Sequence, residues 1–201
     1  MISDEKDLLE RIPAGVDYTD EPAELDFDDI PRERIPRLEH LLVAEDEYVR
    51  LRAGLLLASW GEKSGFEFLR LFVEISKGKD LEWFPHRLRL YDETYTRIFM
   101  ALESFWAKSL DANINEELRT ELVLTLRRLI EYASVLQFEV PLQFLLLHAK
   151  LIELLPDVRN YLHEILKNRE FHHWKVEDAI SVLKQVDPDF VAHELARHGG
   201  D

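Results

Sequence analysis

The chain has 201 residues, of which 46% are hydrophobic and 32% are charged, enough to bury the core of one domain of ordinary size. Its 40 acidic residues outnumber its 25 basic ones and give a net charge of −15 at pH 7, which argues against binding to a nucleic-acid backbone. Because the chain contains no cysteine, it has no disulfide, no thiolate metal ligand and no cysteine nucleophile.

The first residues and the hydropathy predict a cytoplasmic protein without a membrane span. Residues 1–7 lack the basic region and the apolar core of a signal peptide. The longest apolar stretch, residues 140–155, has about 16 residues, fewer than the roughly 20 that a membrane helix needs. We therefore expect a helix buried on most sides at residues 141–154.

Residues 1–36 form an acidic segment that differs from the rest of the chain. Its twelve acidic residues outnumber four basic ones, and Pro13, Pro22 and Pro31 interrupt any long helix. We predict a partly extended N-terminal arm with one short helix at residues 3–12. The few hydrophobic residues of the arm are expected to hold it against the body of the protein, and residues 37–201 are expected to form a single all-α domain.

From Pro36 onward the apolar residues follow the spacing of helices, and no stretch alternates with the period of a strand. Ser64 and Glu67 have the spacing of a capping box, and Pro156 and Pro188 suit first helical turns. The fold class is therefore all-α, a helical bundle or a short superhelix of about eight or nine helices. The predicted helices cover residues 34–44, 47–60, 64–77, 88–109, 115–137, 141–154, 156–168 and 174–185, and a last one follows Asp187.

Two segments of the chain resemble each other. Aligning Ala53 with Ala179 places Leu57 on Leu183 and Gly61 on Asp187. The first segment, and more loosely the second, resembles the HEAT-like helical-repeat family, whose second helix often carries Asp, Val-Arg, Ala and Leu in this order. The resemblance covers two units, less than half of the chain, and an irregular all-α bundle is the alternative. The matching residues are Asp46, Val49, Arg50, Ala53 and Leu57, then Trp174, Val176, Ala179, Leu183 and Asp187–Pro188.

No catalytic or cofactor motif is found, so we expect no catalytic residue, no cofactor and no metal site. The glycines do not have the spacing of a phosphate loop or of a serine-hydrolase elbow. Imidazole and carboxylate groups are ligands for zinc or iron. The only Glu-x-x-His pair, Glu170 with His173, falls in a predicted loop, and His193 and His198 are five residues apart. We interpret the histidines as surface and helix-end residues, and His148 as a hydrogen-bonded core residue.

The acidity and the helical surface favour a non-enzymatic module that binds a basic protein. One specific form is an immunity or antitoxin-like inhibitor of a basic toxin. The loop around Trp83 offers two large aromatic side chains, which either enter the core or contact a partner. The residues predicted to bind the partner are Asp17, Asp20, Glu21, Glu24, Asp26, Asp28 and Asp29 in the arm, and Trp83, Phe84 and His86 in the loop.

Two other classes of function remain open on the sequence alone. The first is an all-α enzyme or a small-molecule or metal-binding protein with a pocket between helices, with Tyr91, Tyr95, His148 and Trp106 as candidate walls. The second is a self-associating structural protein that uses the aromatic residues of the helix predicted at 88–109. For the acidic residues of the arm, a purely solubilising role is the alternative to partner binding.

Overall fold

The chain folds into α-helices joined by turns and loops. The computed structural model describes residues 3–79, 81–86, 91–111 and 116–199. The described residues contain no strand and only one isolated β-bridge, between Pro85 and Asp92, so the all-α class is confirmed. In these ranges nine α-helices follow one another: α1 (Ser3–Glu10), α2 (Ile35–Leu41), α3 (Glu47–Ser59), α4 (Lys63–Ser76), α5 (Thr94–Asp111), α6 (Glu116–Ala133), α7 (Leu155–Leu166), α8 (His173–Val186) and α9 (Pro188–Arg197).

The backbone divides into two compact units. Unit 1 comprises Met1–Ile75 and Arg97–Arg119, and unit 2 comprises Ser76–Thr96 and Thr120–Asp201. The predicted boundary at residue 36 falls inside unit 1. The chain passes from one unit to the other near the end of α4 and within α5 and α6.

The core of unit 1 surrounds α3, which is buried along most of its circumference and not on one face alone. Asp46 begins this helix, because its carboxylate accepts hydrogen bonds from the backbone amides of Tyr48 and Val49. Hydrophobic residues from before residue 36 belong to the same buried cluster as α2 and α3, as expected for the arm. They are Leu8 and Leu9 of α1, and Leu25 and Ile30 of the segment that follows.

Helices α3 and α4 approach each other closely at Gly65. A Cβ atom at this position would collide with the backbone nitrogen of Ala58 and with Leu57. Gly61, in the turn between the helices, has a φ of +86°, in the left-handed region that glycine adopts most easily. Both glycines are therefore required by local geometry, one by close packing and the other by the turn.

Two predicted helix starts are wrong. Helix α4 begins at Lys63, so Ser64 lies inside it, and the buried Ser64 hydroxyl has no hydrogen-bond partner among the described residues. The predicted capping box is therefore not formed. Helix α5 begins at Thr94, so residues 91–93 are not helical as predicted, and the Asp92 carboxylate accepts a hydrogen bond from the Thr94 amide at 2.8 Å. The predicted start at residue 88 lies outside the described residues. Most of the turn predicted at 111–115 lies outside the described residues.

The core of unit 2 joins the first turn of α5 to α6, α7, α8 and α9. Tyr95 packs against Tyr132 and Phe138, with ring centroids 5.7 and 5.2 Å apart. The predicted start of α9 is confirmed, because Asp187 caps the helix and Pro188 lies in its first turn. Buried aliphatic residues of the three last helices fill the rest of the core, among them Val158, Leu162, Val176, Leu183 and Val191.

The prediction of one helix at residues 141–154 is wrong. The chain forms a π-helical turn at Phe144–His148 and a 3-10 turn at Ile152–Leu154 instead. Between them Lys150 has a φ of +53°, which interrupts a right-handed α-helix. His148 is exposed and is not the predicted core residue. No helix in the described ranges has both the length and the hydropathy needed to cross a bilayer.

Candidate functional site

The acidic residues of the arm lie on a segment that is anchored to the rest of unit 1. The indole nitrogen of Trp60, at the end of α3, donates a buried 2.8 Å hydrogen bond to the carbonyl oxygen of Pro22. The Lys108 ammonium donates to the carbonyl oxygens of Ser59, at 2.5 Å, and of Leu25, at 3.5 Å. With Leu25 buried in the core, the segment is held from its inner side, and its outer side carries the carboxylates.

Hydrogen bonds within the segment order its outer side as well. The Tyr18 hydroxyl donates to the Asp29 carboxylate at 2.8 Å and accepts from the Asp26 amide at 2.9 Å. The Thr19 hydroxyl donates to the Glu24 carboxylate at 2.8 Å. Short 3-10 turns at Pro22–Glu24 and Phe27–Asp29 complete the segment. These bonds define the positions of the carboxylates along residues 17–29.

The seven predicted arm residues form what we call the acidic surface. Six of them are exposed and Asp29 is half-buried. In the described part of the chain, none of the seven carboxylates forms an ion pair with a basic side chain within 4 Å. Their charges are therefore not neutralised by a close ion pair among the described residues. The acidic surface comprises Asp17, Asp20, Glu21, Glu24, Asp26, Asp28 and Asp29.

The predicted aromatic loop lies in unit 2, where backbone pairing holds it. The Phe84 amide donates to the Asp92 carboxylate at 2.7 Å, and the Glu93 amide donates to the Phe84 carbonyl at 2.7 Å. The His86 amide donates to the Tyr91 carbonyl at 2.8 Å. Trp83, Phe84 and His86 are all half-buried, so each of them keeps part of its surface exposed.

A groove of about 610 Å³ lies beside this loop in unit 2. Two hydrophobic residues of its wall are unusually exposed, Val135 at 66% and Phe171 at 44%. The other lining residues combine apolar and polar side chains. They are Leu81, Glu82, Pro85, His86, Tyr91, Asp92, Leu136 and Gln137.

The four residues proposed from the sequence as pocket walls do not form one pocket. Tyr95 and Trp106 are buried, and they belong to different units. His148 is exposed on the π-helical turn. Only Tyr91 lines the groove, where its ring stacks on Trp174 at 5.7 Å. The inclusion of His148 depended on the prediction that residues 141–154 form a regular buried helix.

A cluster of ionisable side chains that the sequence analysis missed joins α7 to the end of α9. The Glu194 carboxylate is only 4% exposed, and its Oε2 lies 2.7 Å from His163 Nδ1 and 3.6 Å from His198 Nε2. The other oxygen, Oε1, lies 3.5 Å from His193 Nδ1 and 3.8 Å from the Arg197 guanidinium. The hydrogen bond from His163 keeps the pKa of Glu194 below its usual value despite burial.

One local signal could have indicated part of this cluster. Glu194 and His198 are four residues apart, which places them on one face of a helix. The histidine that completes the cluster, His163, precedes Glu194 by 31 residues and lies on another helix. Its position depends on how α7 and α9 pack, which no local pattern encodes. The pair formed by Glu170 and His173 is only a contact of the His173 ring with the Glu170 backbone carbonyl.

A buried lysine lies at the end of α6. Lys175 Nζ donates 2.5 Å hydrogen bonds to the carbonyl oxygens of Ala133 and Leu136, and it lies 5.9 Å from the ring centroids of Tyr161 and Trp174. Burial lowers the pKa of Lys175 to about 7. Burial and the nearby Lys175 charge lower the pKa of His172 to about 4. Because Nζ is directed at two helix-end carbonyls, Lys175 acts as a helix cap.

The described residues thus define an all-α protein with an anchored acidic surface, an apolar groove and a cluster of histidine and glutamate. Comparison of the chain with models of known protein families, with characterised proteins and with solved structures found no significant match. Because a fold class does not determine a function, the sites of this chain carry the functional inference.

Proposed function

We propose that this protein is a non-enzymatic binding module that takes a basic protein partner on its acidic surface. The observation that carries the proposal is the anchoring of residues 17–29. Six exposed carboxylates lie on a segment held by Trp60, Lys108 and the buried Leu25. A solubilising tail needs charge but no such anchoring, so the fixed arrangement favours recognition over solubility alone.

Charge and preorganisation explain how such a surface would bind. A net charge of −15 attracts a positively charged protein and accelerates the encounter, and complementary charges then define the orientation. The conformational entropy of residues 17–29 is already lost on folding, so binding does not have to order them. Lysine and arginine side chains of the partner would pair with carboxylates that lack a basic partner within the described chain.

The specific form of this proposal is an immunity or antitoxin-like inhibitor that blocks a basic toxin in the cytoplasm. A small acidic protein without a catalytic motif suits that role. We also propose that the α3–α4 and α8–α9 pairs are HEAT-like units. In support, Ala53 and Ala179 are both fully buried, as are Leu57 and Leu183, at equivalent positions of the two segments.

The test begins with capture of partners by the tagged protein from native lysate, at low and at high salt, and continues with the purified partner. In one variant four carboxylates of the acidic surface are neutralised, all at exposed positions without a described side-chain contact. The substitutions are Asp17→Asn, Asp20→Asn, Glu21→Gln and Asp28→Asn. We expect the association rate constant of this variant to fall by about tenfold or more at low salt.

The matched control neutralises four exposed carboxylates elsewhere, with Glu117→Gln, Glu170→Gln, Glu177→Gln and Asp189→Asn. This control changes the net charge equally, so it separates a local contact from the general field of the protein. The proposal is wrong if no stoichiometric basic partner is captured. It is also wrong if both variants bind the captured partner equally well.

The groove beside the aromatic loop favours a second candidate function, the binding of a small apolar molecule. Its volume of about 610 Å³ and its exposed Val135 and Phe171 suit such a ligand. Ligand-observed NMR with a fragment library tests this candidate. Phe171→Ala should abolish the binding of hits, whereas Leu124→Ala, at a similarly exposed residue outside the groove, should not. Hits that bind both variants equally would exclude the groove.

Separate variants test the predicted role of the loop itself. Trp83→Ala and His86→Ala should each lower the affinity for the captured partner if these half-buried side chains contact it. Unchanged affinity in both variants would restrict partner binding to the acidic surface. Because the acidic surface and the loop belong to different units, each is tested by itself.

A further inference from the structure

The donor atoms at the end of α9 have the chemistry of a zinc site. His163, Glu194 and His198 each offer one donor atom, and these three atoms all lie within 4.8 Å of one another. Two imidazoles and one carboxylate form a known ligand set for Zn²⁺, which prefers nitrogen and oxygen donors when thiolates are absent. The three residues come from α7 and from the C-terminal end of α9, so a bound ion would join these two elements.

The observed distances are close to those of a tetrahedral site. Zinc bonds of about 2.0–2.1 Å place neighbouring ligand atoms about 3.3 Å apart. The distance of 3.6 Å between His198 Nε2 and Glu194 Oε2 needs little change. The hydrogen bond between His163 Nδ1 and Oε2, 2.7 Å long, would be replaced by metal bonds, and the two atoms would move apart by about 0.6 Å.

A second observation concerns His198. Its Nε2 atom is buried and has no hydrogen-bond partner among the described residues, and it faces the Glu194 carboxylate. A buried imidazole nitrogen without a hydrogen-bond partner carries a desolvation cost. A metal ion between His198 and Glu194 would remove this cost.

We propose that His163, Glu194 and His198 bind one Zn²⁺ ion, with water as the fourth ligand. About a quarter of each histidine side chain remains exposed, 24% for His163 and 23% for His198, so the ion can enter and a water molecule can complete its coordination. Arg197 and His193 face the other Glu194 oxygen and stay outside the first coordination shell. The ion stabilises the packing of α9 on α7.

The experiment uses the full chain without an affinity tag, freed of metal by chelation and titrated with ZnCl2 in competition with a chromophoric chelator. We expect one ion per chain with a dissociation constant of about 10 µM or lower, and a higher unfolding temperature in the presence of zinc. Substitution with Co²⁺ should give the intense visible absorption of tetrahedral cobalt. A stoichiometry well below one ion per chain would contradict the proposal.

Two variants and one control make the test specific. Glu194→Gln and His198→Ala should each weaken zinc binding by about tenfold or more, because each removes one of three ligands. His198→Ala lies one residue beyond α9 and leaves the core intact, so it remains informative if Glu194→Gln unfolds. His148→Ala, at an exposed histidine outside the cluster, should bind zinc as the parent does. If the parent and His198→Ala bind zinc with equal affinity, His198 is not a ligand and the proposed site is wrong. The contact of His163 with Glu194 would then be an ordinary ion pair.

Discussion

Trp60 donates its indole hydrogen bond to Pro22, a residue 38 positions earlier, and this buried bond fastens the acidic segment to the end of α3. The carbonyl oxygen of Pro22 would be buried without a partner if the donor were removed. The bond therefore links the stability of unit 1 to the arrangement of the acidic surface.

Trp60→Phe tests this link. The variant keeps an aromatic ring in the core but loses the donor, and we expect it to lower the free energy of unfolding by about 1–2 kcal/mol. Limited proteolysis and hydrogen exchange should also show faster opening of residues 17–30. The control is Trp106→Phe, because the Trp106 indole nitrogen is buried without a hydrogen-bond partner among the described residues. Equal effects of both variants would mean that lost ring volume, and not the hydrogen bond, determines stability.

Gly65→Ala tests the close approach of α3 and α4. The added methyl group would meet the backbone of Ala58, which cannot move without separating the two helices. We expect a loss of about 2 kcal/mol or more in urea unfolding, although alanine favours helices elsewhere.

The comparison variant for this prediction is Gly54→Ala. The three atoms nearest to its methyl group would all belong to the ring of Phe68, a side chain and not a backbone segment. We therefore expect a smaller loss than for Gly65→Ala. The reverse order would show that the two helices do not meet at Gly65 as described.

Asp187 has two functions that substitutions can separate. Its carboxylate caps α9 by accepting from the Phe190 amide, and it accepts a 2.6 Å hydrogen bond from Arg159 Nε on α7. Asp187→Ala removes both and should cost about 2 kcal/mol, whereas Asp187→Asn keeps the cap and should cost about 1 kcal/mol. Urea unfolding measures both values. Identical losses for the two variants would mean that the cap contributes nothing.

The buried pair of His172 and Lys175 predicts how stability depends on pH. Both side chains are cations whose pKa is lowered in the folded protein, from 6.5 to about 4 for His172 and from 10.5 to about 7 for Lys175. At a pH between the two pKa values of either residue, the unfolded chain binds more protons than the folded protein. The free energy of unfolding therefore rises with pH in both ranges. We expect about 2 kcal/mol to be lost as the pH falls from 6.5 to 4, after allowance for screening by solvent.

Two variants assign the two pH windows. His172→Gln should remove most of the change between pH 4 and 6.5. Lys175→Met should remove the rise in the free energy of unfolding between pH 7 and 10.5. The substitution also leaves the carbonyl oxygens of Ala133 and Leu136 without their donor. Chemical unfolding of each variant and the parent over the same pH series measures the difference. A Lys175→Met curve parallel to that of the parent above pH 7 would contradict the lowered lysine pKa.

The success of the helix predictions depended on local patterns of enough length. Helices α3, α6, α7 and α8 were located within a few residues, because apolar spacing continues over three or more turns and glycine or proline marks several ends. The segment 141–154 was misassigned because a short apolar run does not distinguish a regular helix from irregular buried turns. Lys150 in a left-handed conformation leaves no such pattern.

The candidate sites were predictable to different degrees. The concentration of carboxylates in residues 17–29 can be read from the sequence, because charge density is a property of the sequence, and their role in partner binding stays a prediction. The anchoring of this segment cannot be read from it, since the bond between Trp60 and Pro22 joins residues far apart in the chain. The proposed pocket failed for a related reason, because Tyr95 and Trp106 lie on one helix but in different units.

The sequence by itself determined the all-α class, most of the helices and the acidic character of residues 1–36, because these depend on composition and on periodicity within single segments. Only the tertiary structure decided that the acidic segment is anchored and that His163 meets Glu194 and His198. It also decided that Lys175 is buried at the end of α6. Each of these relationships joins residues that are tens of positions apart, and their distance depends on how whole helices pack.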